Sequence, residues 1–142
     1  MAIPFSVVRI DHVVFRVRDL ERSIAFYGDV VGCRVLRRRD ELGLVHLEAG
    51  STLIDLVAVD GPLGSRGGAP AGDKARNVDH LCLRIEPYDE AEIVRHLADH
   101  DIEPTAIAQA NLGAEGVGPS LYFNDPDGNS IELKGPSQQV DG

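Results

Sequence analysis

Cysteine is scarce in this sequence. Cys33 and Cys82 are its only two, and they form no Cys-x-x-Cys pair. That excludes a disulfide framework and a zinc knuckle. Basic charge is short as well: 14 Lys and Arg face 23 Asp and Glu, for a net charge of −9. Nucleic-acid phosphate is therefore excluded as a partner, because that binding is driven by Lys and Arg releasing counterions. No apolar run approaches the roughly 18 residues of a membrane span. The opening stretch, residues 1–12, lacks the basic region of a secretory signal, so the expected compartment is the cytosol. Gly-x-Ser-x-Gly, P-loop and dinucleotide glycine motifs are missing, which argues against hydrolase, kinase and Rossmann chemistry. What remains is ordinary globular composition, 43% hydrophobic and 26% charged. At 142 residues the chain suits one domain with a real core.

The chain repeats itself. Ile10-Asp11-His12-Val13-Val14-Phe15-Arg16-Val17 returns 68 residues later as Val78-Asp79-His80-Leu81-Cys82-Leu83-Arg84-Ile85. Asp, His and Arg recur at identical offsets, and the other positions stay apolar. A helix signal follows each copy. After the first, Asp19 is a good N-cap, Leu20, Ile24, Tyr27 and Val31 fall at helical spacing, and Gly32 suits the C-terminal cap. After the second, residues 87–101 carry Asp89, Glu90 and Glu92 early, with Ala91, Val94, Leu97 and Ala98 on one face.

Strand patterns come next: 33–39, 44–49 and 52–59 in the first half, and 104–109, 120–124 and 130–134 in the second. Asn124-Asp125-Pro126-Asp127-Gly128-Asn129 has the turn chemistry of a hairpin connection. The expected class is α+β: two βαβββ modules, 8–59 and 78–135, in a single domain over 1–135. A Gly/Pro-rich linker over 60–77 joins them, and 136–142 form a flexible tail. Residues 109–119, with Gly113, Gly116 and Gly118, read as an irregular loop, either a binding loop or plain surface.

Strand alternation sends Phe15 and Val17, and likewise Leu81 and Leu83, toward the helices. His12, Arg16, His80, Cys82 and Arg84 leave from the opposite faces. Asp55 and Glu132 each interrupt an otherwise apolar last strand, a costly placement unless the acid is paired or binds a metal. Two imidazoles and two carboxylates suit a divalent ion such as Zn, Ni, Fe or Mn. The competing reading pairs Glu132 with an arginine and gives Asp55 local hydrogen bonds. His96 and His100 read as a solvated helix face, Arg37-Arg38-Arg39 as a solvated basic run, and Cys82 as structural; His46 has no visible partner.

Taken together, Asp11-His12, Asp19 through Gly32, Asp79-His80 and Phe123 through Leu133 resemble the vicinal oxygen chelate superfamily over residues 8–135. That superfamily includes glyoxalase I, extradiol dioxygenases, fosfomycin-resistance enzymes, methylmalonyl-CoA epimerase and bleomycin-binding proteins. The resemblance implies βαβββ modules paired edge to edge, with a divalent metal held by His12, Asp55, His80 and Glu132. It implies a small substrate chelated through vicinal oxygens, Glu132 or Asp55 shuttling a proton, and Arg16 and Arg84 holding an anionic group. It also implies a homodimer whose sites draw His12 and Asp55 from one chain and His80 and Glu132 from the other. Asp55 stands where glyoxalase I-like members carry Glu; without it, His12, His80 and Glu132 form the triad of the dioxygenase and fosfomycin branches. The leading expectation is a glyoxalase-type lyase or isomerase. An extradiol-type dioxygenase or thiol transferase is the second, and a metal-free binding protein the third.

Overall fold

A computed structural model describes residues 6–72, 74–76 and 78–138. The chain divides into two compact units, Met1–Pro70 and Ala71–Gly142. In the first, β1 (His12–Val17) leads into α1 (Leu20–Phe26). The Asp19 side chain accepts from the Arg22 backbone N–H at 3.0 Å, closing the helix N-terminus. A π-helical turn over Tyr27–Val31 continues the helix and stops at Gly32, whose φ of 89° few other residues adopt. Next come β2 (Arg34–Arg39), β3 (Leu44–Ala49) and β4 (Thr52–Ala58). The strand order is β1-β4-β3-β2, with β1 parallel to β4 and the other pairs antiparallel.

The second unit repeats this plan with β5 (Leu81–Arg84), α2 (Glu90–Asp99), β6 (Ala106–Gly113), β7 (Gly116–Asn124) and β8 (Ser130–Lys134). Its order, β5-β8-β7-β6, is the same topology, and Asp89 caps α2 as Asp19 caps α1. The α+β class and the βαβββ repeat are thus both present. Each unit has its own core on the helix side of its sheet. In the first, Val17, Tyr27, Val45, Leu47, Ile54 and Leu56 are buried; in the second, Leu97, Leu121, Phe123 and Ile131 are. Strand alternation then leaves His46 and Asp55, and Tyr122 and Glu132, on the other face of each sheet.

Three expectations change. The loop over 109–119 is a hairpin: Asn111, Leu112 and Gly113 pair with Gly118, Val117 and Gly116. Glycine lowers strand propensity, but here cross-strand pairing overrides it. His80 stands one residue ahead of β5 rather than inside it. The stretch 60–77 is not uniform linker, because residues up to Pro70 belong to the first unit. Within it, Asp73 and Asn77 lie outside the described residues, as do 139–142 of the expected tail. Among the described residues, no helix is long and apolar enough to cross a membrane.

Candidate functional site

In the second unit the site is built on three neighbouring strands. Glu132 on β8 is only 5% exposed. His80, the residue just before β5, meets it with Nε2 3.0 Å from Glu132 Oε1. The other ring nitrogen, Nδ1, is bound to Asp79 Oδ2 at 2.7 Å. Asn111 on β6 donates to Ser120 Oγ at 2.7 Å, Tyr122 Oη at 3.2 Å and Glu132 Oε2 at 3.4 Å. Tyr122, the register partner of Glu132, also packs its ring edge-on to His80 at 5.4 Å.

The electrostatics follow from this packing. Burial alone would raise the Glu132 pKa, but hydrogen bonds from Ser120, Tyr122 and Asn111 and the charge of His80 outweigh it and lower it. The His80 pKa is raised, first by the hydrogen bond to Asp79 and also by Glu132, against a partial desolvation. Burial and then Glu132 raise Tyr122, so its hydroxyl stays a donor. Both ring nitrogens of His80 therefore face carboxylates. A neutral imidazole carries a single N–H and can satisfy only one of the two carboxylates; a second proton, or a cation at Nε2, satisfies both. An imidazole fixed through Nδ1 to a carboxylate, with Nε2 left for a cation, is the outer-shell arrangement that metal sites use.

The first unit carries the counterpart. His12 Nδ1 is bound to Asp11 Oδ1 at 2.8 Å, and its Nε2 lies 3.9 Å from Asp55 Oδ2. The pKa of His12 is raised, by Asp11 first and then Asp55. Asp55 is 5% exposed and binds His46 Nδ1 at 2.9 Å. His46 is the register partner of Asp55 as Tyr122 is of Glu132. Each unit thus joins one repeat histidine to one carboxylate: His12 to Asp55 and His80 to Glu132. Among the described residues, no three His, Cys, Asp or Glu side chains gather into a metal-holding group.

The two arginines are engaged by other groups. Arg16 donates from Nε to the Gly64 carbonyl at 2.9 Å, from Nη1 to Ala69 at 3.2 Å, and from Nη2 to Gly68. Arg84 pairs with Glu86 at 2.7 Å and Glu115 at 3.1 Å. It still lines a cavity of about 290 Å³, together with His80, Glu132 and Lys134. Sequence reasoning missed His46, Asn111, Ser120 and Tyr122. The signal for His46 and Tyr122 lay in register: each faces an acid across an antiparallel pair. Glu132 took a histidine, not the arginine of the competing reading, whereas Asp55 did take a local hydrogen bond.

Cys82 stands beside Glu132 in register, and desolvation first, then Glu132, push its thiol up to about 11. Burial does the same to Cys33, also to about 11. Both stay protonated near neutrality, so neither is an activated nucleophile. Alkylation of the native protein with iodoacetamide at pH 7.5 should run at least tenfold slower than in the unfolded chain; equal rates would contradict this environment.

The family model for the Glyoxalase/Bleomycin resistance protein/Dioxygenase superfamily matches residues 9–133. A mitochondrial methylmalonyl-CoA epimerase from Mus musculus is 28% identical, over 89% of this chain and 72% of its own length. A probable lactoylglutathione lyase from Synechocystis is 27% identical, over 92% of this chain and 97% of its own. Among solved structures, a virulence protein from Salmonella typhimurium superposes with a TM-score of 0.74 at 25% identity, covering 93% of this chain and 99% of that one.

Proposed function

Because the chain belongs to the Glyoxalase/Bleomycin resistance protein/Dioxygenase superfamily, we propose that it is a divalent-metal-dependent lyase or isomerase of the glyoxalase type. Its reaction moves a proton between adjacent carbons of a small substrate whose vicinal oxygens are chelated, in the cytoplasm. The observation that carries this reading is the His80–Glu132 pair, oriented by Asp79 and echoed by His12, Asp11 and Asp55. His12, His80 and Glu132 would hold the ion, with Asp55 as the fourth donor. A bound Zn, Ni, Fe or Mn supplies Lewis-acid stabilisation of charge developing on substrate oxygens.

The chain's own residues do the rest. Glu132 takes up and returns the proton, and Asp55 is the second base of that shuttle. Asn111, Ser120 and Tyr122 fix the carboxylate of Glu132, so that little reorganisation accompanies proton transfer. His46 holds Asp55 in the same way. Elemental analysis of the purified protein, then a panel of hemithioacetals with catechols and fosfomycin as controls, tests the reading. Stoichiometric metal and hemithioacetal turnover are expected; oxygen uptake with catechols, or turnover that survives complete metal removal, would refute it.

Donor count bears on assembly. Each unit offers one repeat imidazole and one carboxylate, so a four-donor site needs two units. Our reading takes them from two chains of a homodimer with two equivalent sites. Mixing His12→Ala and Glu132→Ala chains under subunit exchange should then restore metal binding in a fraction of the dimers. Proven exchange without recovery would place each site within one chain.

A further inference from the structure

Lys134 is one of two lysines in the sequence, the other being Lys74. It follows Glu132 by two residues on β8, so both side chains leave the same face, about 7 Å apart along the strand. Only 6% of Lys134 is exposed. Two glycines make its berth. A Cβ at Gly113 would stand 2.5 Å from Lys134 Cε, and one at Gly118 would stand 3.1 Å from Nζ. The side chain thus lies across β6 and β7 in a slot that any other residue there would narrow. It lines the same cavity as His80 and Glu132.

Among the described residues, the Lys134 amine has no hydrogen-bond or ion-pair partner. Its stem is buried while the amine itself still reaches solvent in the cavity, so the cavity presents a positive charge that no described side chain pairs. The acids nearby are engaged: Glu115 pairs with Arg84 at 3.1 Å, and Glu132 pairs with His80 at 3.0 Å. Arg84 lines the cavity too, but Glu86 and Glu115 already occupy its guanidinium.

We propose that Lys134 is the anion-binding residue of this cavity, and that the substrate carries an oxyanion group, carboxylate or phosphonate, beyond the oxygens it presents to the metal. This deepens the lyase or isomerase reading and rests on it for the chelating end alone. Proton-transfer substrates of this kind would be small 2-oxo or 2-hydroxy compounds with a second, distal acid. A lysine suits that end as a compact point charge that accepts either oxyanion geometry.

The test has two arms. Metal-free protein is titrated with methylphosphonate and, separately, acetate, following the backbone amides of Gly113 and Gly118 by NMR. Saturable shifts are expected, with apparent Kd at least tenfold weaker in Lys134→Met and little changed in Lys74→Met; the tighter probe identifies the oxyanion. Gly113→Ala, which crowds the slot and keeps the charge, should weaken binding as well. In the second arm, metal-loaded protein is titrated calorimetrically with 2-oxoglutarate and 2-oxopentanoate, which differ in the distal carboxylate. At least a tenfold preference for 2-oxoglutarate is expected, collapsing in Lys134→Met. Equal anion binding by wild type and Lys134→Met, or none by either, overturns the proposal. Lys134-dependent binding in the first arm with no 2-oxo acid bound in the second would sustain the anion site and sink the chelation reading.

Discussion

Glu132→Gln should weaken divalent-metal binding by more than about 100-fold. Loss of an outer-shell partner alone costs roughly 10–100-fold, and a ligand should cost more. Glutamine keeps the size of Glu132 and can still accept from Asn111, Ser120 and Tyr122, so the surrounding strands have little reason to move. It removes the negative charge, and turns one acceptor oxygen into an NH2 donor, at the position that, with His80 Nε2 3.0 Å away, is attractive to a cation. A graded series makes the expectation sharper. Asp79→Ala, which releases His80 Nδ1, should fall in the outer-shell range. Asp55→Ala should cost more than a surface change if Asp55 is a ligand, and Asp55→Glu should preserve binding. Competition against a chelator gives the affinities, and cobalt substitution gives an absorption spectrum that reports ligand loss directly. Unchanged affinity in Glu132→Gln would remove Glu132 from the metal site, whereas unchanged affinity in Asp55→Ala alone would leave the three-donor set of His12, His80 and Glu132.

Much of this was legible in the sequence, because the signals were of the kind that survive folding. The Asp-His repeat at 12 and 80 marks equivalent strands, and each acid in an apolar strand marks a polar face. The turn at Asp125 was equally plain. Its carboxylate accepts from the backbone N–H of Asp127 and Asn129, at 2.9 and 2.7 Å, and so sets where β8 begins. Less was legible where the outcome depends on which neighbour a side chain finds. Arg16 and Arg84 sit at matching repeat positions, yet one grips backbone carbonyls and the other two glutamates. His46, Asn111 and Tyr122 could be placed beside an acid only once the strand register was known. Lys134 was visible as the end of a strand, but its isolation depends on two glycines in a segment that read as loop.

The Gly-rich stretch after β4 should respond very unequally to one substitution made at two places. Gly64→Ala is expected to destabilise the first unit by about 3 kcal/mol or more, at the upper end of overpacking and backbone effects. Gly72→Ala should stay within about 1 kcal/mol of wild type, since alanine at a compatible backbone is neutral or mildly stabilising. Gly64 is buried in a 3₁₀ turn over Gly64–Gly67, and a Cβ there would overlap the Ala58 carbonyl. That carbonyl belongs to the end of β4 and already accepts from the Gly61 N–H at 3.0 Å, so it cannot swing aside without opening the turn. Opening the turn also strips Arg16 of its Gly64, Gly68 and Ala69 partners, and frees a guanidinium from the strand that carries His12. At Gly72, by contrast, a Cβ meets nothing within 4 Å. Thermal unfolding should separate the two, with a loss of about 10 °C or more for Gly64→Ala alone. Equal melting temperatures would mean that residues 60–70 are a passive connection, and that Arg16 is available for another role.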